Sequence, residues 1–137
     1  MKRAAIAILS AMLAGCASVK ICERGGKTMV DIENSGWYLL HFVPLASGDP
    51  YWPNENLCRM FTSTVTLENN IMMLERTAKK HGAKTAKNLN SYITDENVLI
   101  MLFTRHAYHT SAELVFDTPA DGEAPETKEE TCESAAM

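Results

Sequence analysis

Hydrophobic and polar positions along the chain predict one folded region, over residues 28–116, that is built from strands and a helix. Within residues 28–33, Val30 and Ile32 alternate with polar neighbours, which is the period-2 pattern of a half-buried strand. Residues 34–36, Asn-Ser-Gly, have the composition of a turn. The first part of the fold is therefore expected to be a strand followed by a reversal of the chain.

A second extended segment is predicted by the apolar, aromatic run at residues 37–43, which Pro44 ends. Residues 51–63 show no regular period, so we interpret them as a loop anchored by aromatic side chains.

The clearest predicted element is a helix from about Leu67 to His81. Thr66 stands in the N-cap position, and Gly82 follows where a helix commonly ends in the left-handed conformation. The apolar stripe that we expect to face the core recurs at helical spacing and consists of Leu67, Ile71, Leu74 and Ala78.

The remaining pattern predicts a short strand at residues 85–93, a turn at 94–97 and a long apolar, β-branched stretch at 98–116. Because this stretch is long for one strand, we expect a bulge or break near residues 104–107. The predicted fold class is α+β, in which one main helix packs on one face of a small antiparallel sheet.

Residues 1–15 have the pattern of a secretory signal peptide, with Lys2 and Arg3 ahead of an uncharged run over residues 4–14. The run is too short to span about 30 Å of hydrocarbon, which requires about 20 apolar residues.

The end of this run, Leu13-Ala14-Gly15-Cys16, resembles the lipobox of bacterial lipoproteins. The resemblance implies that the Cys16 sulfur carries a diacylglyceryl group. It also implies that cleavage before Cys16 exposes an amine, which is acylated as well. Two or more acyl chains anchor a protein stably to a membrane. Ala17 after the cysteine resembles outer-membrane sorting, so we expect an envelope protein facing the periplasm, with residues 16–27 as a lipidated tether.

The folded region has a second resemblance. The segments 78–83 (AKKHGA) and 85–91 (TAKNLNS), followed by a long strand, are similar to small bacterial envelope lipoproteins, among them the TRL-like family. The resemblance covers about residues 28–116 and implies a helix that leads into the strands of one small sheet. It implies no catalytic residue and no cofactor.

Charge is distributed unevenly along the chain, whose net charge is −4. Residues 117–137 hold seven acidic residues and one lysine, three proline or glycine breaks and little to bury, which predicts a disordered acidic tail. A mildly acidic chain without a basic block lacks the electrostatic pattern of a nucleic-acid binder.

The four cysteines are Cys16, Cys22, Cys58 and Cys132. With Cys16 lipidated, an odd number remains in an oxidising compartment. We predict a Cys22–Cys58 disulfide, with Cys22–Cys132, or no pairing at all, as the alternatives.

Histidine and methionine side chains suggest a metal-handling role as an alternative function, since His106 and His109 form an HxxH pattern and eight methionines are present. Strand geometry argues against the histidine pair, because residues three apart on a strand point to opposite faces. We therefore predict no metal site.

Candidate partner-binding residues are the aromatics that lie near prolines in the region 37–53, namely Trp37, Tyr38, Tyr51 and Trp52. Aromatic side chains of this kind form protein- or carbohydrate-binding surfaces. Because the sequence has no catalytic motif of a known type, the expected function is non-enzymatic binding or assembly with an envelope protein or polymer.

Overall fold

A computed structural model of the chain describes residues 16–55, 57–98, 102–116 and 131–134. The elements in chain order are β1 (Ala17–Arg24), β2 (Lys27–Leu39), β3 (Val43–Gly48), β4 (Cys58–Met60), α1 (Leu67–Lys80), β5 (Thr85–Val98), β6 (Phe103–Val115) and β7 (Thr131–Ser134). The predicted antiparallel sheet with a helix is confirmed, but strands predominate so strongly that the molecule is mostly β and fits the α+β class only loosely. In the part of the chain that the structure describes, no helix has the length and hydropathy of a membrane span.

Strand β2 is the centre of the sheet. One of its edges pairs with β6 over almost its whole length, from Thr28 opposite Leu114 to Leu39 opposite Phe103. The other edge is therefore shared by β1, which pairs with residues 27–34, and β3, which pairs with residues 36–39. Beyond these, β5 pairs with β6, β4 with β3, and β7 with β1.

The two strands on the shared edge meet closely at Gly48. A Cβ atom at this position would lie 2.3 Å from the backbone nitrogen of Ala17, a distance that no side chain tolerates. Glycine is therefore required where β3 ends against the beginning of β1.

Helix α1 covers one face of the sheet, where alternate positions of β1, β2 and β6 supply apolar side chains. The core formed with the helix consists of Ala17, Val19, Val30, Ile32, Met73, Leu74, Ala112 and Leu114. We call this side of the sheet the covered face and the opposite side the open face.

The helix begins and ends as predicted, but its buried side is rotated relative to the predicted stripe. The Thr66 hydroxyl accepts a hydrogen bond from the backbone N–H of Asn69 at 3.2 Å, and Gly82 has the left-handed φ of +70°. The predicted stripe is confirmed at Leu74, which is buried, and at Ala78, which packs against the core. It is wrong at Leu67 and Ile71, which are exposed. The buried residues are Asn70, Met73, Leu74 and Thr77.

Hydrogen bonding to β6 explains this rotation of the helix. The Asn70 side chain donates to the carbonyl oxygen of Tyr108 and to the Thr110 hydroxyl, both at 3.0 Å. These bonds place Asn70 against the sheet, so Ile71, one residue further on, is turned toward solvent.

The predicted tether at residues 16–27 is wrong, since most of it forms β1. Ala17 and Val19 are buried and alternate with polar residues, which is the pattern of a half-buried strand. The adjacent lipobox-like residues instead indicate a tether. The predicted turn at residues 34–36 also lies inside β2. Its backbone continues the ladder, as Ser35 N–H donates to the Cys16 carbonyl oxygen at 2.7 Å.

In the second half of the chain, the predicted turn at residues 94–97 belongs to β5. Asp95 and Asn97 look like turn residues, but they hydrogen-bond across to His106 and Thr104 on β6. The β6 register is continuous from Phe103 to Leu114 against β2, so the break predicted near 104–107 is wrong there. The irregularity of the hairpin lies on β5 instead, between Lys87 and Asn90.

Two further segments differ from prediction. The loop predicted at residues 51–63 includes the short strand β4. Within the acidic tail predicted as disordered, residues 131–134 form β7 and pair with β1, while residues 117–130 and 135–137 lie outside the described residues.

Candidate binding groove on the open face

The open face carries polar side chains because the residues that alternate with the core positions of each strand are polar. Cross-strand register aligns them in rows that run over four strands. One row contains Ser18, Glu33, His109 and Tyr92, and the next contains Lys20, Asp31, Ser111 and Asn90.

These two rows form a groove of about 290 Å³ that is open to solvent. Seven of the eight side chains line it, namely Ser18, Lys20, Asp31, Glu33, Tyr92, His109 and Ser111. Hydroxyl, ammonium, carboxylate and aromatic groups therefore converge on one concave surface.

The aromatic part of the groove is a stacked pair. The Tyr92 and His109 rings have centroids 4.8 Å apart and planes inclined by 15°. The Nε2 atom of His109 shares a hydrogen bond of 3.0 Å with the Thr94 hydroxyl, which orients the imidazole. Because Tyr92 is 53% exposed, much of this aromatic plate remains available to a ligand.

An arginine holds one end of the groove. The guanidinium of Arg105 donates to Glu33 at 2.8 Å and to the Ser35 hydroxyl at 3.3 Å, and its other terminal nitrogen lies 3.5 Å from a Glu96 oxygen. The two carboxylates compensate its charge. Arg105 therefore positions Glu33 at the groove more than it offers a free cation.

Cys16 lies next to this end of the groove. Its carbonyl oxygen accepts from Ser35 N–H, and its own N–H donates to the Ser35 carbonyl oxygen at 3.2 Å. The thiol is free and half-buried. Burial, followed by the charge of Glu33, raises the pKa of the Cys16 thiol, and Arg105 and Lys20 oppose that rise. The predicted signal peptide, residues 1–15, lies outside the described residues.

The predicted Cys22–Cys58 disulfide is wrong. Cys22 is disulfide-bonded, whereas Cys58 is a free, exposed cysteine. Cys22 lies opposite Met29, and β3, next to Cys58, first pairs with β2 at Gly36. Seven residues of strand span roughly 23 Å, too far for a disulfide.

The alternative pairing agrees with the strand register. With Cys16 and Cys58 free, the remaining cysteine of the sequence is Cys132. Its backbone in β7 lies directly opposite Cys22 in β1.

The four candidate aromatics do not form one surface. Tyr38 is 7% exposed and directs its hydroxyl to Ser63 at 2.6 Å, so it is a core residue. Trp37 is half-buried on the open face. Only Tyr51 and Trp52, between β3 and β4, are exposed, at 44% and 52%. Alternation along β2 separates Trp37 from Tyr38, because neighbouring residues of a strand point to opposite faces.

The histidines of the HxxH pattern diverge, as strand geometry predicts. His109 stacks on Tyr92 on the open face, and His106 contacts Tyr38 and Asp95 on the covered face. Within the described residues, no three His, Cys, Asp or Glu side chains are arranged to hold a metal ion.

Most groove residues escaped sequence reasoning. The sequence indicates Asp31 and Glu33 only as polar positions of an alternating strand, and His109 only as part of the HxxH pattern. Their polar alternation was a signal that these strands have a solvated face. The row that joins them to Tyr92 depends on pairings between distant parts of the chain, which local patterns do not contain.

The chain matches no protein-family model, and neither a curated protein nor a solved structure matches it. The chemistry of the groove and the position of Cys16 therefore carry the functional proposal.

Proposed function

We propose that the protein is a lipid-anchored protein of the cell envelope that acts by binding, with the open-face groove as its contact surface for a ligand or polymer. The observation that carries the binding role is the pair of polar rows that four strands bring together in a groove of about 290 Å³. Side chains on strands are held rigidly, which favours a preformed binding site.

The lipid anchor is supported by the lipobox-like residues 13–16 and is compatible with the geometry at Cys16. Acylation of the amine leaves an amide with one N–H, and one donor is what the bond to Ser35 requires. Since β1 begins at Ala17, an anchor at Cys16 would hold the groove close to the membrane surface.

Binding is favoured over catalysis by the state of the groove imidazole. His109 is stacked on Tyr92, and its Nε2 atom already bonds to Thr94. A general base must reach the proton that it removes, whereas this nitrogen is engaged within the sheet.

Counting thiols tests the anchor. Membrane-derived protein is denatured without reduction and treated with a thiol-alkylating reagent. We expect alkylation at Cys58 alone, because the anchor makes Cys16 a thioether and Cys22 is in a disulfide. Mass spectrometry should find the acyl mass on Cys16. Two alkylated thiols and no acyl mass would contradict the anchor.

A pair of matched variants separates the anchor from a general effect of cysteine loss. Cys16→Ser should move the protein from the membrane to the soluble fraction. Cys58→Ser should leave it in the membrane fraction, since Cys58 is an exposed cysteine of β4 and lies outside the lipobox-like residues 13–16. Retention of both variants in the membrane fraction would count against lipid anchoring.

A further inference from the structure

We infer that the ligand of the open-face groove is a saccharide chain without net negative charge. This inference rests on the proposal that the groove is the binding surface, and it adds the chemical class of the ligand. Aromatic contact, hydrogen-bonding capacity and charge each contribute to it.

The stacked Tyr92–His109 pair supplies an apolar plate in an otherwise polar groove. The planes differ by only 15°, and Tyr92 is 53% exposed. The C–H face of a pyranose ring is flat and weakly apolar, so it packs against an aromatic ring of this kind. The remaining edges of the sugar then meet the polar side chains beside the plate.

Those side chains match the hydroxyl groups of a sugar. A hydroxyl both donates and accepts hydrogen bonds. The carboxylates of Asp31 and Glu33 accept, the ammonium of Lys20 donates, and the hydroxyls of Ser18 and Ser111 do both. Rows of donors and acceptors on two adjacent levels suit a ligand with several hydroxyls.

Charge argues against an anionic ligand. The lining contains two carboxylates and one ammonium group, and the nearby Arg105 is compensated by Glu33 and Glu96. A phosphate would meet repulsion from Asp31 and Glu33, and the single ammonium group of Lys20 offsets only one of these two charges.

The shape of the groove favours a segment of a chain over a free monosaccharide. Its volume of about 290 Å³ is at the lower end of ligand pockets, and it is open to solvent. A chain longer than the groove can therefore continue beyond it into solvent. Such a polymer is accessible to a protein held at an envelope membrane.

The test uses the full-length protein in detergent micelles and isothermal titration with defined probes. These are hexamers of N-acetylglucosamine, cellohexaose and maltohexaose, with sodium phosphate and trilysine as charged comparisons. We expect saturable binding of at least one hexasaccharide. Tyr92→Ala and Asp31→Asn should each weaken it about tenfold, the size expected from loss of one good contact.

Tyr51→Ala is the matched control, since Tyr51 is similarly exposed but lies between β3 and β4, away from the groove. It should bind with wild-type affinity, and circular dichroism should show that all three variants are folded. Equal weakening by Tyr51→Ala would overturn the assignment to the groove.

Two other results would overturn the inference. The first is the absence of hexasaccharide binding at about 10 mM, where even weak contacts register. The second is binding of phosphate or trilysine that Tyr92→Ala or Asp31→Asn abolishes, while the saccharides do not bind. That second result would keep the groove as a binding surface and reject only the ligand class. Failure of the Cys16 anchor would leave both statements intact.

Discussion

The covered and open faces of the sheet are made by the same strands and yet differ in almost every property. On β2, Val30 and Ile32 are 0% and 2% exposed beneath α1, whereas the neighbouring Asp31 and Glu33 line a groove that is open to solvent. Alternation along a strand supplies both faces at once. The helix therefore packs against the apolar set, which stabilises the fold, and leaves the polar set facing solvent.

The covered face is itself divided. Near Met73 and Leu74 it is apolar, whereas near the start of α1 it is polar, with Asn34 and Asn70 both 0% exposed. The Asn34 amide donates to the Thr64 carbonyl oxygen at 2.5 Å. The Oδ1 atoms of both asparagines have no hydrogen-bond partner among the described residues. Stability on this face thus depends on packing at one end and on hydrogen bonds at the other.

The largest effect is expected from truncating the apolar end of the covered face. Met73 is 0% exposed in the core, so Met73→Ala should lower the free energy of unfolding by about 2–5 kcal/mol through lost burial and a cavity. Urea unfolding followed by circular dichroism measures it. Met60→Ala, which removes a side chain that is 56% exposed, should change stability by less than about 0.5 kcal/mol. Equal losses would contradict the assignment of the core.

A smaller loss is expected at the polar end. Asn70→Ala removes the two bonds to Tyr108 and Thr110 and should lower the free energy of unfolding by about 1–3 kcal/mol. The control is Asn90→Ala on the exposed side of β5, for which little change is expected. If Asn70→Ala were as stable as Asn90→Ala, hydrogen bonding to β6 would not be what orients the helix.

The smallest effect is expected on the open face, at Glu113. Hydrogen bonds from Lys27 at 3.2 Å and Asn88 at 2.8 Å lower the pKa of the Glu113 carboxyl. Because its pKa is lower in the folded state, the stabilisation is present above the ordinary glutamate pKa, about 4.3, and is lost as pH falls through the folded value.

Glu113→Gln removes this pH-dependent contribution to the free energy of unfolding. Melting temperatures of wild type and variant should therefore differ slightly at about pH 7 and converge toward about pH 3. In a Lys27→Ala background, the difference in melting temperature caused by Glu113→Gln at about pH 7 should be smaller. This substitution removes the hydrogen bond that contributes most to the lowered pKa of Glu113. If the difference in melting temperature between wild type and Glu113→Gln were the same at every pH, the ionisation of Glu113 would contribute nothing to stability.

The elements that the sequence predicts correctly have local determinants. The cap at Thr66 and the stop at Gly82 act within one helical turn, so the bounds of α1 were predictable. Segments whose conformation is set by pairing with a distant strand were not predictable from the sequence. Aspartate is common in turns, but Asp95 lies in β5 and hydrogen-bonds to His106 on the neighbouring strand β6. The predicted tether is wrong for the same reason. The alternation of Ala17 and Val19 with polar residues forms a strand only because β1 pairs with β2.

By itself, the sequence determined that the chain has a capped helix, strands with one apolar side each, and a cysteine after a lipobox-like run. The tertiary structure alone decided which side of α1 is buried, that Cys58 is not the disulfide partner of Cys22, and that four strands form one polar groove. The physical reason is that periodicity is encoded between near neighbours, whereas strand register joins residues as distant as Ser18 and Tyr92. Only pairing energies summed over the whole sheet select that register.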